Sequence, residues 1–264
     1  MTQASGRTRI LLLIRHGQYD TASPYDELRI LTPLGRAQAT ATGHRLRARL
    51  AALGCEPPRA IVHSTMTRAV ETAQLIQQAA FPEATLQAEP ALREGAPCTP
   101  DPNWWHPSEA DVRRDGPRIE GAFKRYFHRD VSDVPQRSPR TPLLSTSTGA
   151  TASSSEVEDD VSSHRENTPA PAPAPAEAAP DAGGAAPSTP QDAEGTRSRC
   201  EIIVCHGNVI RYCALRALQL PPEAWLRLMV PNASITTVSI TADGDALLSG
   251  LGDAGHLPAQ DVTA

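Results

Sequence analysis

The chain has 264 residues, with 25 basic and 30 acidic side chains and a net charge of −5, a length that suits one or two domains around a sizeable core. Ten acidic residues and five arginines fall between 131 and 199, so that stretch carries the whole net charge and the remainder sums to zero. Such a balance excludes the basic face of a nucleic-acid binder, and the early apolar run Ile10 to Ile14 is far short of the ~20 residues of a membrane span.

In chain order, the opening "MTQASGRTR" holds no signal-peptide core and no transit helix, and the default expectation is a cytoplasmic protein. "RILLLIRH" is a continuous apolar run of the kind found in a strand covered on both faces. "LTPLGRAQATATGHRLRARLAAL" predicts a helix with Thr32 as N-cap and Pro33 in the first turn. A short strand, "RAIVHS", and a second helix, "TRAVETAQLIQQAA", follow.

Residues 131–199 break this pattern. They include "STSTGATASSSEVEDD" and "TPAPAPAPAEAAPDAGGAAP", hold ten of the 25 prolines and lack Phe, Tyr and Trp. A segment so poor in apolar side chains cannot offset its ordering entropy, and a disordered acidic insertion is expected. It divides one domain into a first part, 1–130, and a second part, 200–264. The second part opens with a strand, "CEIIVCH", and a helix, "NVIRYCALRALQL", that carries Val209, Ile210, Cys213, Ala217 and Leu218 on one stripe. "SITTVSITADGDALLSGLG" predicts a hairpin turning at Asp243–Gly244. The alternation predicts an α/β three-layer sandwich with a mostly parallel central sheet flanked by helices.

In such sheets ligands bind beyond the carboxyl ends of the strands, where helix N-termini present backbone N–H groups. The polar residues gather at those points: Arg15 and His16 after the first strand, Ser64 through Arg68 after the second, His206-Gly207-Asn208 after the last. Two arginines and two histidines there make a cationic pocket sized for a phosphoryl group, which the planar guanidinium grips with paired hydrogen bonds. Singly, each histidine reads as a capping residue and Arg68 as a solvated helix residue; the combination carries the inference. A metal site built from His16, His63 and His206 is disfavoured, since no His-x-His or His-x-x-x-His spacing occurs and Arg15 would repel a cation. The five cysteines form no Cys-x-x-Cys pair and read as reduced thiols. Trp104, Trp105 and the tryptophan of "WLRL" are expected to pack or to anchor loops.

"LLLIRHGQ", "HSTMTRAVETAQ" and "VCHGNVIR" together resemble the histidine phosphatase superfamily, the phosphoglycerate mutase-like enzymes. "LREGAPCTPDP", "RIEGAFKRYFHR", "VIRYCALRALQLPPEAWLRL" and "LGDAGHLP" are similar to the mitochondrial Ser/Thr protein phosphatases of that superfamily, over 8–130 and 200–262. The resemblance implies a phosphatase for phosphomonoesters, first of all phosphoserine and phosphothreonine in proteins. His16 would form a phosphohistidine, Arg15, Arg68 and His206 would bind the phosphoryl oxygens, and Glu94 would be the acid and base. It implies no cofactor, and it adds a mitochondrial location to the cytoplasmic default; a homodimer is left open. A small-metabolite phosphatase or a phosphoglycerate mutase is the alternative enzyme, although no Trp-Asn pair follows "RHGQ" and no "RHYG"-type stretch follows Glu94. A non-catalytic phosphoprotein-binding scaffold is the alternative of another class.

Overall fold

A computed structural model describes residues 8–129 and 198–264. Along the chain come β1 (Arg9–Arg15), α1 (Pro33–Ala52), β2 (Ala60–His63), α2 (Thr67–Ala80), β3 (Thr85–Ala88), α3 (Glu109–Tyr126), β4 (Arg199–Cys205), α4 (Gly207–Ala217), β5 (Ile235–Ile240) and β6 (Ala246–Asp253). The insertion expected over 131–199 lies outside the described residues except for its last two, and Arg199 already opens β4.

The six strands form one sheet in the order β3-β2-β4-β1-β5-β6. β3, β2, β4 and β1 are mutually parallel, whereas β5 runs antiparallel to β1 and to β6. The sheet is therefore mixed, with its parallel half holding the strand ends of interest. β5 and β6 are the expected hairpin.

The five-residue run Ile10–Ile14 is apolar throughout because both faces of β1 are covered. Ile10, Leu12 and Ile14 pack in a cluster with Leu46 and Leu50 of α1 and Ile76 of α2. Leu11 and Leu13 face the opposite layer, with Ile119 of α3 and Val209, Ile210 and Cys213 of α4. Three layers follow from that alternation, and each fully buried Leu or Ile contributes about 1.5–3 kcal/mol.

Helix starts obey local chemistry. The Thr32 side chain accepts from Gly35 N and Pro33 occupies the first turn of α1. Ser108 and Asp111 form a reciprocal capping box on α3. α1 also buries two polar side chains, Gln38 and Thr42, on its inner face. Gln38 reaches Asp261 O at 2.6 Å and Thr42 reaches Ala233 O at 2.9 Å, so neither is left unsatisfied.

Two expectations change. Cys55 and Cys200, both nearly buried, are joined by a disulfide with Cα atoms 6.1 Å apart, so these two are not reduced thiols. The 145 residues separating them in the chain hide that pairing from sequence spacing. Among the tryptophans, Trp225 is fully buried and its Nε1 donates to Cys98 O at 3.2 Å. Trp105 stacks its edge on Trp225 at 5.7 Å and so anchors its loop, but Trp104 stays 60 % exposed.

Candidate active site

β1, β2 and β4 end side by side, and the chain turns from β2 and β4 directly into α2 and α4. Arg15 is the last residue of β1 and sits in register with Cys205, the last of β4. His16 follows, its N–H donating to Cys205 O at 3.0 Å, and His206 occupies the N-cap of α4. Arg68 lies in the first turn of α2. Two helix N-termini, with their positive dipole ends, thus converge on the same patch. Four of the expected site residues, Arg15, His16, Arg68 and His206, meet there.

His16 is held in one tautomer. Its Nδ1 lies 2.8 Å from Gly17 O, and a carbonyl can only accept, so Nδ1 carries the hydrogen and Nε2 keeps its lone pair. Arg68 Nε donates to that Nε2 at 3.2 Å. Burial, reinforced by the Arg68 and Arg15 charges, holds the His16 pKa well below the usual imidazole value. The ring is therefore neutral at physiological pH, with the unprotonated nitrogen that a nucleophile would need.

The two rings of His16 and His206 stand 5.0 Å apart. His206 is fully buried; its Nε2 lies 2.8 Å from Ser64 Oγ, and its Nδ1 has no hydrogen-bond partner among the described residues. Its pKa is also well below the ordinary value, first through burial and then through His16, Arg68 and Arg15.

The arginines divide their donors. Arg15 Nη1 donates to Val230 O at 2.6 Å, while its Nε is buried without a hydrogen-bond partner among the described residues. Arg68, 1 % exposed, lies over the Tyr19 ring at 4.6 Å and spends both terminal nitrogens on Asp26. A pocket with neutral imidazoles and fixed guanidinium groups is matched to a phosphoryl dianion.

Glu94 comes from the loop after β3. It keeps some surface accessible, yet desolvation pushes its carboxyl up to about 7, against the opposing charges of Arg68 and Arg15. A carboxyl half-protonated near neutrality can give a proton and take one back. Gly95 lets the loop approach α3, since a Cβ there would lie 2.4 Å from Asp115 Cγ. Asp115 accepts from Ala96 N at 3.1 Å and from Arg118, whose own donors reach the carbonyls of Ala91, Arg93 and Glu94.

Sequence reasoning missed Asp26, Tyr19 and the Asp115–Arg118 brace, and it named Ser64 without a role. Only Ser64 carried a local signal, its place at a strand end. Among the described residues no group of three or more His, Cys, Asp or Glu is placed to hold a metal ion, and His63 turns its Nδ1 to Ser64 O.

The profile of the "Histidine phosphatase superfamily (branch 1)" matches residues 11–98 and 150–250. The chain is 36% identical over 258 residues to the rat and human proteins named "Serine/threonine-protein phosphatase PGAM5, mitochondrial". The alignment covers 97% of this chain and 66% of each relative, so the chain spans just under two thirds of their length. The frog relative of the same name, from Xenopus laevis, is 36% identical with 69% of its length covered. Among solved structures, a phosphoglycerate mutase from Plasmodium falciparum aligns with a TM-score of 0.50 at 25% identity, over 98% of this chain and 99% of that one. An Escherichia coli protein titled a putative alpha-ribazole-5'-P phosphatase aligns with a TM-score of 0.52 at 15% identity, covering 93% and 96% of the two chains, a likeness of fold.

Proposed function

The chain belongs to the histidine phosphatase superfamily (branch 1), and from that premise we propose that it dephosphorylates phosphoserine and phosphothreonine in proteins through a phosphohistidine at His16. The observation that carries the reading is the unprotonated Nε2 of His16, its lone pair fixed by the Nδ1–H bond to Gly17 O and accepting from Arg68 Nε.

In the first step Nε2 attacks phosphorus in line and the P–O bond to the substrate hydroxyl breaks. Glu94 gives its proton to the departing oxygen. Arg15, Arg68 and the Nδ1 side of His206 take the charge on the three equatorial oxygens, where positioning and electrostatics do most of the work. In the second step Glu94 takes a proton from water, the water oxygen bonds to phosphorus and the N–P bond breaks. Inorganic phosphate leaves and His16 is neutral again. Every one of these groups belongs to the chain, and the scheme calls on no cofactor.

The relatives' names support a protein substrate and a mitochondrial setting for this chain. The test compares hydrolysis of a phosphothreonine peptide with that of bisphosphoglycerate, for wild type and His16→Ala. Peptide turnover abolished by the substitution, with an acid-labile phosphoryl group trapped on His16 of the wild type, is the expected result. Turnover of the small phosphate alone would move the reading to metabolism, and no turnover by folded wild type would favour a phosphoprotein-binding scaffold.

A further inference from the structure

Ser64 sits at the point where the chain leaves β2, fully buried, its N–H donating to Val204 O at 2.9 Å. Its Oγ accepts from Met66 N at 3.3 Å and lies 2.8 Å from His206 Nε2. A hydroxyl has one hydrogen to give. Met66 N–H occupies one of the two lone pairs of Oγ, and His206 Nε2 is the acceptor within reach of its hydrogen among the described residues.

The neutral His206 ring carries a hydrogen on one nitrogen only. If that were Nε2, the ring would donate to Ser64, the hydroxyl hydrogen would be left with no acceptor among the described residues, and Nδ1 would be a bare lone pair. If it is Nδ1, Ser64 donates to Nε2 and a single N–H is left over, on the buried atom without a hydrogen-bond partner among the described residues. Leaving one buried group unpaired costs less than leaving two. The helix makes no competing use of this ring, because His206 caps α4 without a side-chain hydrogen bond.

We propose that Ser64 is a positioning residue that fixes His206 in the Nδ1–H tautomer, so that Nδ1 donates to a phosphoryl oxygen during transfer. His16 and His206 then perform opposite tasks in the same tautomer by turning opposite ring nitrogens to the site: Gly17 O keeps the His16 hydrogen on Nδ1 and leaves Nε2 a lone pair, while Ser64 O–H occupies His206 Nε2 and leaves Nδ1 as a donor. Ser64 neither gains nor loses a proton. The role of the donated bond rests on the phosphatase reading, whereas the tautomer itself does not.

The test uses the full chain with 15N-labelled histidine. Side-chain NMR of the wild type is expected to give His206 a pyrrole-like Nδ1 and a pyridine-like Nε2, and Ser64→Ala is expected to mix the two tautomers. On a phosphothreonine peptide, Ser64→Ala should lower kcat by about 10- to 100-fold, by analogy with the partners that orient metal-bound histidines. His206→Asn, whose amide nitrogen falls near Nδ1, should keep more activity than His206→Gln, whose amide nitrogen falls near Nε2. A wild-type His206 protonated at Nε2, an unchanged tautomer in Ser64→Ala, or Gln outperforming Asn would overturn the assignment. Wild type with the expected tautomer but no turnover would count against the phosphatase reading instead.

Discussion

Arg68 grips Asp26 twice: its Nη2 lies 3.1 Å from Asp26 Oδ2, and its Nη1 donates to the Asp26 carbonyl at 2.8 Å. The third donor of the same guanidinium, Nε, is the one that reaches His16 Nε2, so Asp26 and an anion beside His16 would share one cation. The carboxylate of Asp26, whose side chain is 42 % exposed, therefore competes with the anion the pocket is built for.

Removing the competitor should tighten anion binding. Partly exposed ion pairs are worth ~0.2–1 kcal/mol, so Asp26→Ala is expected to lower the inhibition constant of inorganic phosphate by about 1.4- to fivefold. Competition assays at constant ionic strength measure it. Weaker binding in the variant would mean that Asp26 holds Arg68 in its working pose.

Glu94 sets a pH limb. Its pKa is raised from 4.5 to about 7, so the acid form that protonates the leaving oxygen is lost as pH climbs through about 7. His16 and His206, both held well below 6.5, stay neutral over that interval. The kcat/KM for a phosphothreonine peptide should fall above about pH 7, and Glu94→Gln should flatten this limb and cost about 10²–10⁴-fold in rate. For a nitrophenyl ester, whose leaving group needs no proton, kcat/KM does not include the second step and should suffer far less from the same substitution. Stability has the same sign: a raised carboxyl pKa favours the folded state fully below 4.5, and that contribution is lost as pH rises through about 7. A pH profile identical in wild type and Glu94→Gln would remove Glu94 from the proton transfer.

The Asp115–Arg118 pair braces the Glu94 loop from α3. Asp115→Ala leaves Ala96 N–H and Arg118 short of a buried acceptor, at a cost of about 1–3 kcal/mol. Because the brace holds the acid rather than the arginines, kcat for the phosphothreonine peptide is expected to drop while phosphate inhibition stays near the wild-type value. Urea denaturation and steady-state kinetics separate the two effects. An equal loss in phosphate affinity would point to collapse of the whole pocket.

Arg15, His16, Arg68 and His206 are legible in the chain because each lies in a short motif where an apolar run stops, and strand ends in a parallel sheet are where ligands bind. Asp26 is not legible, since its partner is 42 residues away and its loop has an ordinary polar composition. Ser64 lies inside a motif, yet its effect depends on a ring 142 residues distant. Asp115 is 4 % exposed, but its flanking arginines make it read as a solvated helix position. β3 is only four residues long and mostly exposed, so it lacks an apolar run; α3 does repeat its apolar residues at helical spacing, but Pro117 and its many charges speak against a helix in the sequence. Local signals identify chemistry; the supports that aim it are long-range and leave no local trace.

The bond between Cys55 and Cys200 has a topological consequence. It ties a residue before β2 to the second residue of β4, so the parts that carry His16 and His206 are linked without recourse to the peptide chain between 130 and 197. A protease that nicks that stretch should yield two fragments that migrate together on a non-reducing gel and separate after addition of a thiol. Until then both halves of the pocket would remain tethered, and a clipped enzyme could go on turning over.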